Sequence, residues 1–120
     1  MAELAITIGE QGEGLAAAMD MRFGRAARFL MVDPGADQAE AVVTNPAVMA
    51  AHGAGTGAAA MMREQGVKAV VSGRFGPKAA DALRAMAIEM YIAPPGLTAG
   101  EAARRYAAGE LERQELQVFR

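Results

Sequence analysis

Residues 28–44 read RFLMVDPGADQAEAVVT, and this stretch decides the architecture. Arg28-Phe29-Leu30-Met31-Val32 is a run of strand formers stopped by Asp33-Pro34-Gly35, where proline and glycine supply turn geometry. Ala39 to Thr44 returns as another strand, so the pair predicts a hairpin. Upstream, Leu4-Ala5-Ile6-Thr7-Ile8 is a β-rich run ended by Gly9, which gives three strands in an antiparallel meander. Between the first two, Leu15 to Ala27 contains three alanines that could start a helical turn. Asp20, Gly24 and the nearby arginines argue instead for an ordered loop.

Downstream the pattern changes. The small, glycine-rich segment from Val48 to Gly57 leads into a helix over Ala58 to Gln65, with Gly66 in the C-cap role. Val67 to Ser72 reads as a short buried strand. Pro77 opens a second helix, continued by Ala80, Leu83 and Met86 at a spacing of three. Ile88 to Ile92 is a fifth strand and Pro94-Pro95-Gly96 a turn. Thr98 with Glu101 is a capping box that starts a last helix to about Ala108. Residues 110–120 are charged with scattered apolar positions, a tail left unplaced beyond a single domain over 1–109.

The order βββαβαβα predicts an α/β fold with a five-stranded mixed sheet, strand two running against the other four. Following strand directions through right-handed crossovers gathers Arg22–Arg25, His52–Gly57, Gly73–Pro77 and Pro94–Gly96 at one edge. That edge holds the carboxyl ends of the strands, where open α/β sheets take ligands.

Composition removes several chemistries. The 120 residues contain no cysteine, which excludes disulfides, a thiol nucleophile, a thiolate zinc site and an iron-sulfur cluster held by four protein thiolates. With one histidine, His52, no two-histidine metal triad can form. A net charge of −2 gives no global footprint for nucleic acid, and no apolar run reaches the roughly 18 residues that suggest a membrane span. A cytoplasmic protein is the expectation. Alanine supplies 29 of the apolar residues, so helices and sheet must approach closely to build a core.

Three loops carry the chemistry. Arg22-Phe23-Gly24-Arg25 and Arg28 place guanidinium groups around a glycine, and arginine suits multi-oxygen anions. The competing reading is a solvated turn with Phe23 anchored in the core. Gly53-Ala54-Gly55-Thr56-Gly57 and Ser72-Gly73-Arg74-Phe75-Gly76-Pro77 each precede a helix, where free N–H groups and the helix dipole attract anions. Glycines at such turns also serve tight turns alone. His52 can coordinate a metal or hydrogen-bond an anion, or do neither. Met19, Met21, Met49, Met61 and Met62 flank these loops as soft ligands or as adaptable packing.

With RFGRAARFLMVD at 22–33, the Asn45-Pro46 turn, HGAGTGAA at 52–59 and SGRFGPKAADAL at 72–83, the chain resembles the dinitrogenase iron-molybdenum cofactor biosynthesis family, the NifX-like domain. The resemblance spans nearly all of residues 3–109. It implies a ribonuclease-H-like five-stranded fold and non-catalytic binding of an iron-sulfur cluster or iron-molybdenum cofactor precursor, in company with metallocofactor assembly proteins. On this chain it carries over to Arg22, Phe23, Gly24 and Arg25, to His52, Gly53 and Gly55, and to Gly73, Gly76 and Pro77.

A preformed anionic cluster brings its own sulfides, so a carrier need supply only positive charge, N–H donors and one exchangeable ligand. His52 is the candidate iron ligand, Arg22 and Arg25 the charge partners. A two-metal nuclease would need carboxylates clustered on adjacent strands, and strand one offers no acid beyond Glu3. The alternative is a module for a small oxyanion or nucleotide phosphate, or a regulatory partner protein without iron.

Overall fold

The computed structural model describes residues 3–33, 39–45 and 53–114. Strands β1 (Leu4–Ile8), β2 (Arg28–Val32), β3 (Ala39–Thr44), β4 (Ala69–Ser72), β5 (Glu89–Ile92) and β6 (Glu112–Arg113) form one sheet in the order β3-β2-β1-β4-β5-β6. The five expected strands are all present. β2 is antiparallel to β1 and β3, while β4 runs parallel to both β1 and β5.

A sixth strand is added by the tail that sequence alone left unplaced. β6 pairs antiparallel with β5 through Tyr91↔Arg113 and Ile92↔Glu112, so the sheet has six strands rather than five. Its two residues are both charged and exposed, and carry no apolar alternation to mark them as strand.

β1 sits at the centre and is buried at every residue because helices or turns cover both faces. Alternation sends Leu4, Ile6 and Ile8 to one face and Ala5 to the other. Each of the larger three contributes about 1.5–3 kcal/mol by leaving water. Helices α1 (Ala54–Glu64) and α2 (Pro77–Ala85) cover the Ala5 face with Phe23, Phe29, Met62, Val70 and Leu83. The opposite face is covered by a 3-10 turn at Gly14–Ala16 and by α3 (Ala99–Ala107). Thr98 caps α3 through the expected box: its Oγ1 accepts the Glu101 N–H at 3.2 Å, and Glu101 accepts the Thr98 N–H at 3.0 Å.

α1 begins four residues before the expected Ala58. Gly53 takes the left-handed conformation at φ +75° as N-cap and turns the chain into the helix there. At its far end Gln65 is the C-cap, and Gly66 follows in left-handed geometry at φ +76°. The Pro94–Gly96 turn follows β5 at the carboxyl edge, as expected, but the chain beyond it packs on the α3 face. There Leu97 accepts the Met19 N–H at 3.1 Å and Ala18 bridges Thr98.

Candidate functional site

The arginine loop is fastened before it presents anything. Asp20 donates its N–H to the Thr7 carbonyl at 2.9 Å and accepts the Thr7 hydroxyl at its own carbonyl, which ties the loop to β1. Phe23, 1% exposed, inserts between Phe29 and Phe75 with ring centroids 5.5 and 5.3 Å away. It anchors the loop in the core and floors the site above it. The buried Asn45 amide donates to the carbonyls of Gly24 at 3.2 Å and Ala26 at 2.8 Å, holding the turn from the β3 side. Arg28 turns away from the site: its guanidinium donates to the carbonyls of Gly9, Gln11 and Gly12.

Three backbones then meet. A Cβ on Gly24 would fall 2.9 Å from the Cα and N of Gly55, and one on Gly55 would fall 2.8 Å from the Ala79 Cβ. The arginine loop therefore lies on the first turn of α1, which lies on the first turn of α2. The Phe23 N–H, donating to the Arg74 carbonyl at 3.2 Å, joins the arginine loop to the β4–α2 loop as well.

Between them is a cleft of about 460 Å³, lined by Arg22, Phe23, Gly24, Arg25, Ala54, Gly55, Arg74, Gly76, Pro77, Lys78 and Ala79. Four cations line it, and among its described lining residues there is no carboxylate. Arg22 keeps an acid close by, its N–H donating to Asp20 Oδ1 at 2.9 Å with Nε at 3.6 Å, yet its side chain stays 60% exposed. Both helices aim their N-termini here. Their first helical bonds come from Gly57 and Ala80, so the earlier N–H groups have no partner within the helix. Cationic side chains and positive dipole ends thus converge on one concavity, the arrangement that attracts an anion.

A second cleft of similar size, about 470 Å³, is lined by Gly9, Glu10, Gln11, Ala18, Met19, Asp20 and Met21. Its described lining carries two carboxylates, Glu10 and Asp20, and no cation, so the kind of charged residue rather than volume distinguishes the two.

Of the residues singled out in the sequence, Arg22, Phe23, Gly24, Arg25, Gly55, Gly76 and Pro77 line the cationic cleft. Gly53 stands one residue before it as the cap of α1. Gly73 does not line it: a Cβ there would meet the Met21 side chain, which lies across that glycine. Met62 is core. His52 and Met49 lie outside the described residues. Arg74, Lys78, Ala54 and Ala79 were not singled out as site residues. The signal for the two cations was present, since they flank the Gly76-Pro77 pair in a loop already marked by its glycines. Among the described residues no three His, Asp or Glu side chains are grouped to hold a metal ion, and no helix is long and apolar enough to cross a membrane.

The chain belongs to the family described as dinitrogenase iron-molybdenum cofactor, whose model matches residues 3–109. It is similar to the orange protein of Desulfovibrio gigas, solved in its apo form: 36% identity, TM-score 0.86, with 95% of this chain and 93% of that one covered. It is also similar to a Thermotoga protein given a provisional NifB name within the DUF35 family, at 30% identity and TM-score 0.77 over 94% of this chain and 93% of that one. An uncharacterised protein of Methanocaldococcus jannaschii is 30% identical over 95 residues, 78% of this chain and 80% of that one.

Proposed function

We propose that the cationic cleft carries an anionic iron-sulfur cluster, of the iron-molybdenum cofactor precursor type, for hand-over to metallocofactor assembly proteins. The observation that carries this reading is the donor set: Arg22, Arg25, Arg74 and Lys78 with two helix N-termini, and no carboxylate among the described lining residues. Such a set grips the periphery of a cluster that arrives with its own sulfides, and it releases the cargo more readily than four thiolates would. The family supports a cofactor-associated role. So does the description of the Desulfovibrio gigas protein as an apo form, a term for a protein without its bound group. The strand order β3-β2-β1-β4-β5 with β2 reversed supports the ribonuclease-H-like reading of the fold.

On this reading the role is non-catalytic, that of a carrier which grips and releases its cargo, in keeping with the cofactor-associated family. His52, next to the cap residue Gly53, is assigned as the exchangeable iron ligand. Arg22 and Arg25 supply charge, while Gly53, Gly55, Gly76 and Pro77 shape the loops around the cargo and Gly73 leaves room for Met21 to pack across the start of one of them. The same N–H groups suit a tetrahedral oxyanion or a nucleotide phosphate, which is the second reading.

Anaerobic transfer from a [4Fe–4S] donor, read by iron content and visible absorption, tests the proposal. Wild type should retain the cluster, and Arg22→Ala and His52→Ala should retain less. Retention of phosphate and sulfate but no iron would transfer the site to the second reading.

A further inference from the structure

We infer that the bare backbone at Gly76 sets which anions the cleft admits, selecting a broad polyatomic anion over a single oxyanion. This rests on the anion-holding reading above and adds a selectivity determinant to it. Glycine is required where φ is positive, where another group packs against the Cα, or where a ligand needs the space. Gly53 meets the first condition with φ +75°, and Gly24 and Gly55 meet the second through their contacts with Gly55 and Ala79.

Gly76 meets neither. Its φ of −68° and ψ of 165° are the extended geometry that any residue adopts before proline, and no described atom lies within 4 Å of where its Cβ would stand. It is exposed and lines the cleft.

Capping sharpens the point. Gly76 is the N-cap of α2, where Ser, Thr, Asp or Asn would accept a hydrogen bond from the first turn, and no side chain caps this helix. An oxygen in that place would occupy the N–H groups that an incoming anion needs, and an aspartate would add a repelling charge. Glycine is tolerated as an N-cap but not demanded there, and what any side chain at this position would remove is open volume in the cleft. At about 460 Å³ the cleft falls within the range of roughly 300–1,000 Å³ typical of small-molecule sites. A lone tetrahedral oxyanion leaves most of that unfilled. A wider anion rests a face on Gly76 while its charge meets the arginines.

Gly76→Ala and Gly76→Val, with Arg22→Ala as control, should be titrated anaerobically with two probes, a synthetic thiolate-ligated [4Fe–4S] cluster and inorganic phosphate. Both Gly76 variants should melt close to wild type. Gly76→Val should bind the cluster at least about tenfold more weakly, the penalty of one or two misplaced methyl groups in a fitted pocket. Its phosphate affinity should be unchanged, and Gly76→Ala should fall between wild type and Gly76→Val for the cluster. Arg22→Ala should weaken both anions. If Gly76→Val keeps the cluster, or loses both anions equally, while Arg22→Ala weakens both, size selection at Gly76 is wrong and the anion cleft stands. If wild type binds neither probe, or Arg22→Ala binds both as wild type does, the cleft reading fails and this inference with it.

Discussion

Gly24 lies so close on Gly55 that a Cβ on the first would come within 2.9 Å of the Cα and the amide nitrogen of the second. Both neighbours are backbone, so no side chain can swing aside. The arginine loop and the start of α1 are thus set at a distance that only glycine permits.

Gly24→Ala should therefore destabilise the protein by about 1–3 kcal/mol, the usual cost of overpacking. Urea unfolding of wild type and variant checks this. Gly76→Ala is the internal comparison and should unfold close to wild type, since its Cβ meets no described atom within 4 Å and the entropy it removes from the unfolded chain offsets the poorer N-cap.

Asn45 holds the same loop from the other side. Asn45→Ala would leave the carbonyls of Gly24 and Ala26 without its amide, at a cost of about 1–3 kcal/mol for buried groups left unpaired. Anion affinity should fall as well, although no cation has been removed. Equilibrium unfolding together with phosphate titration reads both effects; a stability loss with unchanged affinity would show that Asn45 does not position the arginines.

The elements of this fold are legible where packing dictates sequence. LAITI and RFLMV are buried on both faces and read as strands, and Thr98 with Glu101 marks its helix start by local chemistry. Glu112-Arg113 escapes because an exposed edge strand of two charged residues needs no apolar pattern. The first turn of α1 escapes because glycines read as loop, and it is the close contact of Gly55 with Ala79 that explains the glycine at that position of the helix. The cleft is legible by half. Glycine clusters and a run of arginines are local signals; Arg74 and Lys78 flank one of those glycine loops, but their part in the cleft shows only when the β4–α2 loop and the start of α2 lie beside Arg22 and Arg25.

The α3 cap has a pH signature. Hydrogen bonds from the Thr98 backbone and side chain hold the Glu101 carboxyl below its ordinary value of 4.5. A carboxyl depressed in the folded state adds stability that is complete above its unfolded value and is lost as pH falls through its folded value. Thr98→Ala should therefore destabilise the protein at pH 7 and lose less than wild type between pH 5 and pH 3. Unfolding curves across that range check the sign, and parallel losses in the two proteins would contradict it.

An anionic cluster seated between the arginine loop and the two helix starts would be located by following backbone amide resonances while a [4Fe–4S] cluster is added without oxygen. Arg22, Arg25, Gly55, Arg74, Gly76 and Lys78 should shift or broaden first, with Gly9, Glu10 and Gln11 of the second cleft unaffected at the same cluster ratio. Perturbation centred on Gly9–Gln11, or spread over the surface without a centre, would contradict this placement.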